Sequence, residues 1–218
     1  MNQFDHPVLG RVNYSLAAVP DYGDDQTAAV ISLMTKYAVE DSKSDVVKQA
    51  IDQAKLEMPT ESPEAQIFYY VRGRVRFVAD ESTALPLQRW YQEPIVESLI
   101  RPVDLLNMRP IAQGDCDDFS MLVASMLLAE GIPCSFVTVA ADDRDPQQFS
   151  HVYVASYRDG KRTPIDASHG LFPGWEADRD SVFRKREWPI RDEKQDQYQA
   201  AILASVLLIG VYYASRNL

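Results

Sequence analysis

The stretch Gln113-Gly114-Asp115-Cys116-Asp117-Asp118-Phe119-Ser120 places a cysteine where a loop turns into a helix. Apolar residues recur after it with the spacing of one helix face, at Phe119, Leu122, Val123, Met126 and Leu127. Gly131 ends this pattern and Pro133 prevents its return. A helix is therefore predicted to begin close to Cys116.

The position of Cys116 is that of a nucleophile. Unpaired backbone N–H groups at a helix start favour a thiolate, and Gly114 lets the backbone bend sharply before it. Three flanking aspartates oppose a thiolate through their charge, and a histidinium partner would be needed to offset them. These aspartates, which are candidates for helix caps or for binding the loop in place, are Asp115, Asp117 and Asp118. The alternative interpretation of Cys116 is a small buried hydrophobic residue.

A cysteine nucleophile needs a base, and the base needs an orienting group. His151 begins an alternating β-branched and aromatic segment, residues 151–157, which predicts a strand. Asp159-Gly160 is a two-residue hairpin signal, and a second strand is predicted through residues 162–167.

The register of this hairpin brings a histidine and an aspartate together. If Arg158 faces Lys161, His151 becomes the diagonal neighbour of Asp166 on one sheet face, about 7–8 Å away at the backbone. A hydrogen bond between these two side chains is then expected, whereas His169 falls on the opposite face if the strand continues that far. The alternatives are a structural strand histidine and a turn-forming aspartate.

At these residues the chain resembles the transglutaminase-like superfamily of cysteine enzymes. The resemblance rests on four blocks in a fixed order within residues 101–170, namely 114–120, 127–133, 150–154 and 164–168. It implies an α+β, papain-like core whose nucleophile-bearing helix packs on an antiparallel sheet. A helical N-terminal region and an apolar C-terminal helix would flank this core. The sequence is most similar to small bacterial and phage- or prophage-encoded members.

The resemblance implies a catalytic triad of Cys116, His151 and Asp166 acting through a thioester intermediate. Water would resolve the thioester in a peptidase or deamidase, and an amine would resolve it in a transamidase. Gln113 is a candidate oxyanion donor by its position, together with the backbone N–H of Cys116. The expected substrate is a protein or peptide, and no cofactor is implied.

Two other functions remain open at this point. The fold could serve as a catalytically silent structural or interaction module, such as a phage virion or envelope-associated component. A cell-wall peptide is a further candidate substrate, which the cytoplasmic orientation described below disfavours.

Composition excludes some classes of function. With 218 residues, 46% of them hydrophobic, the chain can form a sizeable core. The net charge of −10 argues against a nucleic-acid partner, whose phosphates would be repelled. Cys134 is interpreted as a core residue of a buried strand within residues 132–140, and no Cys/His cluster has zinc spacing.

Three regions are predicted: residues 1–100 with an arm and helices, residues 101–195 with the catalytic core, and residues 196–216 with an apolar helix. Residues 1–23 lack a signal peptide pattern and are expected to be irregular. Helices are predicted from Asp24, from Ser42 and from Ser62, the last running through Val78, with Arg72, Arg74 and Arg76 solvated. Two remaining expectations are a polar cleft-bordering loop at 142–148 and an irregular wrap at 169–195. Trp90 and Tyr91 are interpreted mainly as packing residues.

The C-terminal segment is uncharged from Gln197 to Ser215 and almost wholly apolar from Ala200 to Ala214. A helix of this length approaches the roughly 30 Å thickness of a bilayer core. It is predicted to be a single-pass membrane anchor, and basic residues before it place the catalytic domain on the cytoplasmic side. If the chain is phage-encoded, the membrane that holds this anchor could be that of a virion. The alternative is a helix buried on the core or in an oligomer.

Overall fold

Five helices and eight strands make up the described part of the computed structural model, which comprises residues 2–6, 10–20, 22–80, 88–89, 97–177 and 179–192. The helices are α1 (Gly23–Asp41), α2 (Asp45–Glu57), α3 (Pro63–Arg74), α4 (Pro102–Asn107) and α5 (Cys116–Ala129). A 3-10 turn spans Arg179–Ser181.

Both α2 and α3 start at a serine cap. The predicted cap Ser62 is confirmed for α3, whereas α2 is capped by Ser44 and the predicted cap Ser42 instead ends α1. The Ser44 hydroxyl accepts a hydrogen bond from the Val47 N–H at 3.2 Å, and the Ser62 hydroxyl accepts one from the Ala65 N–H at 3.3 Å. Pro63 occupies the first turn of α3, where a missing N–H costs nothing.

The predicted extension of α3 to Val78 is wrong. The helix ends at Arg74, and Val75–Phe77 forms strand β3, which pairs in parallel with strand β4, Ala112–Gly114, just before the cysteine. The β-branched and aromatic side chains of this segment satisfy both a helical and a strand pattern. The strand forms because its partner lies 37 residues further along the chain, from Val75 to Ala112, and local hydrophobic periodicity contains no information about so distant a partner.

The expected irregular arm at the N-terminus is also wrong. Strands β1 (Asn2–His6) and β2 (Gly10–Tyr14) form an antiparallel hairpin, with Asn2 opposite Tyr14 and His6 opposite Gly10. Gly10, one of the residues that suggested irregularity, is the first residue of β2 and stands at the end of the ladder, while Pro7 lies outside the described residues.

A four-stranded antiparallel sheet in the order β7-β6-β5-β8 carries the second half of the chain. Its strands are β5 (Cys134–Ala140), β6 (His151–Arg158), β7 (Lys161–Ile165) and β8 (Arg184–Pro189). The predicted buried strand within residues 132–140 is confirmed, because every residue of β5 is buried. Strand β8 corrects the expectation that residues 169–195 wrap the core irregularly: it covers the open edge of β5, and the Trp188 indole N–H donates to Thr138 Oγ1 at 2.9 Å.

Strands β6 and β7 form the predicted hairpin. Arg158 lies opposite Lys161, and Asp159 and Gly160 both have positive φ, at 53° and 74°, as a two-residue turn of this kind requires. Arg158 donates two hydrogen bonds, at 2.8 and 2.9 Å, to the buried carboxylate of Glu64 in α3. The hairpin is thus fastened to the helical part of the molecule.

Helix α5 lies at the centre of the fold. Residues 117–127 are all buried, with α1, α2, α3 and α4 around the helix and the sheet on its other side. The Ser120 hydroxyl donates to the Val152 carbonyl oxygen at 3.1 Å, which ties the helix to β6. Burial of this extent makes α5 a rigid support for the residue at its N-terminus.

Within the described ranges, no helix is long and apolar enough to cross a bilayer. The predicted apolar helix at residues 197–215 lies outside these ranges, as do Trp90 and Tyr91. The membrane anchor and its orientation therefore stay predictions.

Candidate active site

Cys116 is the first residue of α5, and two aspartates around it cap the helix. Asp115 Oδ1 accepts the Asp117 N–H at 3.2 Å, and Asp118 Oδ2 accepts the Asp115 N–H at 3.2 Å. This reciprocal arrangement is a capping box. The structure therefore confirms the capping interpretation for Asp115 and Asp118.

Asp118 also fixes the loop in front of the cysteine. Its Oδ1 accepts the Ile100 N–H at 2.7 Å, and its side chain lies against Gly114. A Cβ atom on Gly114 would stand 2.4 Å from Asp118 Oδ2, closer than any real Cβ contact. Glycine is required here because of this close approach.

His151 and Asp166 form the predicted hydrogen bond, at 2.8 Å between His151 Nε2 and Asp166 Oδ2. The other oxygen, Oδ1, accepts the Ser168 hydroxyl at 2.8 Å and the His169 N–H at 2.9 Å. Burial opposes ionisation of Asp166, but its hydrogen bond and charge interaction with His151 outweigh burial and lower the pKa to about 2. The carboxylate is therefore ionised at neutral pH and can hold the His151 ring in place.

The strand does not continue as far as His169. The β6–β7 ladder ends with Val154 opposite Ile165, and the chain turns so that the Gly170 N–H donates to the Asp166 carbonyl oxygen at 2.8 Å. This turn places the centroid of the His169 ring 4.9 Å from the centroid of the His151 ring. His169 therefore lies beside the His151–Asp166 pair and not on the opposite face of the sheet. The same turn accepts hydrogen bonds from Arg72, which was expected to be solvated.

Carboxylates dominate the surroundings of the thiol. Cys116 is partly buried, and its Sγ lies 3.4 Å from Asp117 Oδ1. Burial, followed by the charges of Asp117 and Asp115, raises the pKa of Cys116 well above its usual range, although a backbone hydrogen bond with Val152 opposes the rise. The thiolate-favouring effect expected of the helix start is outweighed, and Cys116 is a thiol at neutral pH.

A cluster of five acidic residues lies beside this thiol. Asp115, Asp117 and Asp118 in it are buried, and Asp80 and Glu97 are partly buried. Oxygen atoms of Asp80, Glu97 and Asp115 lie within 4.8 Å of one another, and hard cations prefer such ligands. Within the described residues, however, every buried side-chain nitrogen or oxygen has a hydrogen-bond partner. Burial first, and then neighbouring carboxylates, raise the pKa of Glu97 to about 12 and that of Asp115 to about 9, so protonation stabilises the cluster.

A cleft of about 1190 Å³ opens beside these groups. Cys116, His151 and Asp166 all border it, which brings the three predicted triad residues to one site. The loop predicted to border a cleft does so through Asp142 and Arg144. Sequence reasoning did not place Phe77, His169, Trp175 or Glu176 on the cleft wall.

Residues 48–167 match the core domain of the transglutaminase-like superfamily, over more than half of the chain. The chain belongs to this superfamily. Membership confirms the resemblance carried by the sequence blocks around Cys116, His151 and Asp166.

Solved structures with related folds are distant from this superfamily member. A proposed cysteine protease from Cytophaga hutchinsonii is 17% identical, with a TM-score of 0.40 over 66% of this chain and 41% of that one. Rad4–Rad23 crosslinked to an undamaged DNA is 8% identical, with a TM-score of 0.40 over 65% and 36%. A TGase is 16% identical, with a TM-score of 0.38 over 72% and 41%. The chain thus spans less than half the length of each, and no curated protein matches it.

Gln113, the candidate oxyanion donor, lies in β4 opposite Arg76. Its backbone N–H points to Met108 Sδ at 3.2 Å, and it is not one of the described residues that border the cleft. Its role in this superfamily member stays a prediction.

The acidic cluster predicts an unusual dependence of stability on pH. Because burial raises the pKa of these carboxyls above the unfolded value of about 4, the folded chain keeps protons that the unfolded chain has released. The free energy of unfolding should therefore fall as pH rises from about 4 through the folded pKa values. We expect the melting temperature in EDTA-containing buffer to be at least about 5 °C lower at pH 8.5 than at pH 5.

Replacement of one member of the cluster checks this expectation. Glu97→Gln keeps the shape and neutral charge of the protonated acid, so the variant should lose less stability over the same pH range. Glu61→Gln, at an exposed position, serves as the control and should leave the change in melting temperature between pH 5 and pH 8.5 unaltered. A wild-type melting temperature that rises over this range would contradict the assignment of raised pKa values.

Proposed function

We propose that the protein is a cysteine-dependent acyl-transfer enzyme of the transglutaminase-like type, acting on peptide or carboxamide bonds through a thioester. The observation that carries this proposal is the 2.8 Å hydrogen bond between His151 and Asp166 in the cleft that Cys116 also borders. Cys116 would be the nucleophile, His151 the base and Asp166 the orienting group.

His151 has the proton-transfer role in this proposal. Because its Nε2 donates to Asp166, Nδ1 remains as the acceptor. As Cys116 Sγ attacks the carbonyl carbon, Nδ1 takes the thiol proton and a tetrahedral oxyanion forms. Collapse of this intermediate breaks the C–N bond, and the leaving amine or ammonia takes the proton from His151. A thioester on Cys116 results.

The second half of the reaction decides the kind of enzyme. Attack by water, with His151 again accepting a proton, returns a carboxylic acid and the free thiol, as in a peptidase or deamidase. Attack by an amine gives a new amide, as in a transamidase. Both outcomes share one intermediate, so the intermediate is the first target of an experiment.

The raised pKa of Cys116 favours concerted removal of its proton over a preformed ion pair. Burial and the adjacent carboxylates keep the thiol protonated, so a base has to act during the attack. Asp166 supports that base by stabilising the imidazolium as it forms.

The proposal predicts a covalent acyl-enzyme at Cys116. We expect incubation with p-nitrophenyl acetate to add one acetyl group to Cys116, located by peptide mass spectrometry, and hydroxylamine to remove it as the hydroxamate. Cys116→Ala should show no hydroxylamine-labile adduct, while Cys134→Ala, which changes a buried cysteine, should acylate normally. An adduct that survives in Cys116→Ala would mean that another group is the nucleophile.

A catalytically silent structural or interaction protein is the second candidate. The carboxylates beside Cys116 favour it, since they oppose formation of the nucleophilic thiolate. A wild-type protein that forms no adduct at Cys116 in the same experiment would support this candidate. In either case we propose that residues 197–215 attach the protein to a membrane, with the catalytic domain on the cytoplasmic side, or to a virion membrane if the chain is phage-encoded.

A further inference from the structure

One wall of the cleft is a short segment held by a single carboxylate. Glu176 Oε1 accepts hydrogen bonds from the Tyr153 hydroxyl at 2.7 Å, Arg162 Nη2 at 2.7 Å and Lys185 Nζ at 2.9 Å. These three donors come from β6, β7 and β8, so the carboxylate ties the segment to three strands of the sheet.

The residue before this anchor is Trp175, which faces the cleft. On its other side the Gly174 N–H donates to the Pro164 carbonyl oxygen at 2.8 Å, and Gly174 has a φ of 96° that other residues rarely adopt. Trp175 therefore lies between two fixed positions. An aromatic ring held in this way offers a large contact area at a small loss of side-chain entropy.

The three lysine and arginine residues on the cleft wall each have an acidic partner, and the partner of Arg184 lies outside the wall. Arg144 pairs with Asp142 at 2.6 Å, Arg184 with Asp24 at 2.9 Å and Lys185 with Glu176 at 2.9 Å. Such pairs leave little net charge to attract an ionic substrate. Apolar and aromatic side chains form much of the remaining wall, namely Phe77, Val139, Tyr153, Trp175, Val182 and Phe183.

We propose that Trp175 determines specificity and that the cleft takes acyl donors carrying an aromatic or bulky aliphatic side chain. Glu176 is the positioning residue that holds Trp175 at the wall. This inference rests on the proposed function, since Cys116 would be the atom that receives the acyl group.

Alkylation of Cys116 tests the cleft without requiring catalysis. The two probes are iodoacetamide and N-benzyliodoacetamide, in each of which the Cys116 thiolate displaces iodide. Both probes react with the same thiolate, so the ratio of their rates is independent of its ionisation. Relative to the same ratio for glutathione, we expect wild-type protein to favour the benzyl reagent by about tenfold.

Matched variants separate contact from positioning. Trp175→Ala should reduce the preference to the glutathione value, and Trp175→Phe should keep most of it. Glu176→Ala should reduce it at least about threefold. Glu187→Ala is the control, because Glu187 also binds Arg162, at 2.7 Å, but does not border the cleft. It should leave the preference unchanged.

The outcomes distinguish this inference from the proposed function. A wild-type ratio equal to that of glutathione, or a ratio unchanged in Trp175→Ala, overturns the specificity role of Trp175. Equal losses in Glu176→Ala and Glu187→Ala overturn the positioning role of Glu176. If the protein formed no acetyl-enzyme but still favoured the benzyl reagent, the proposed catalysis would be contradicted and the proposed aromatic specificity of the cleft would be supported.

Discussion

Replacement of His151 by alanine is expected to slow acetylation of Cys116 by p-nitrophenyl acetate about a thousandfold at neutral pH. The expectation follows from the state of the thiol: burial and the charges of Asp117 and Asp115 raise its pKa, so little thiolate exists without a base. In the proposed mechanism, His151, which Asp166 holds by a hydrogen bond of 2.8 Å, is the base. Single-turnover release of p-nitrophenolate, followed by stopped flow, measures the rate.

The pH profile gives this experiment a second readout. In His151→Ala the rate of Cys116 acetylation should rise steadily with pH, because hydroxide must generate the thiolate. The ratio of the wild-type rate to the variant rate should therefore decrease as pH rises. Asp166→Asn should slow acetylation by a smaller factor, about a hundredfold. The His151 ring then loses the negative charge beside it, but a side chain of the same size still contacts it. Ser168→Ala removes only one of the donors to Asp166 and should stay within about threefold of wild type. A His151→Ala enzyme as fast as wild type at neutral pH would exclude His151 as the base.

The second large effect concerns stability: Gly114→Ala is expected to lower the free energy of unfolding by about 2–4 kcal/mol. The added Cβ would lie 2.4 Å from Asp118 Oδ2 and 2.7 Å from Asp118 Cβ. Asp118 is buried and cannot rotate away without breaking its hydrogen bonds to the backbone of Asp115 and Ile100. Urea denaturation measures the loss.

Gly73 provides the matched control. It lies within α3, and a Cβ added there would meet nothing within 4 Å. Gly73→Ala should therefore raise the free energy of unfolding by about 0.5–1 kcal/mol, because alanine favours a helix. If Gly114→Ala were as stable as wild type, the close contact with Asp118 would be refuted.

Local signals account for what could be predicted from the sequence. Ser62 marks a helix start because its side-chain oxygen replaces a missing backbone partner within three residues. The Asp159-Gly160 turn fixes the hairpin register, and with it the meeting of His151 and Asp166. Each of these relationships spans fewer than 20 residues of chain.

Features that depend on distant contacts could not be predicted. Strand β8 forms because the open edge of β5 needs hydrogen-bond partners, and β3 forms because β4 lies beside it. The acidic cluster joins Asp80 and Glu97 to the loop before α5 only once the chain has folded. The opposite-face position predicted for His169 required the strand to continue that far, whereas a turn that the Gly170 N–H closes ends the strand first.

The His151–Asp166 pair and Cys116 are brought together by contacts of different range along the chain. His151 and Asp166 are 15 residues apart on the arms of one hairpin, so bringing them together costs little loop-closure entropy. Cys116 joins them only through the packing of α5 against β6. Partial opening of the helical half would therefore separate the thiol from a histidine–aspartate pair that is still assembled, and the protein would lose its proposed activity before it lost its sheet.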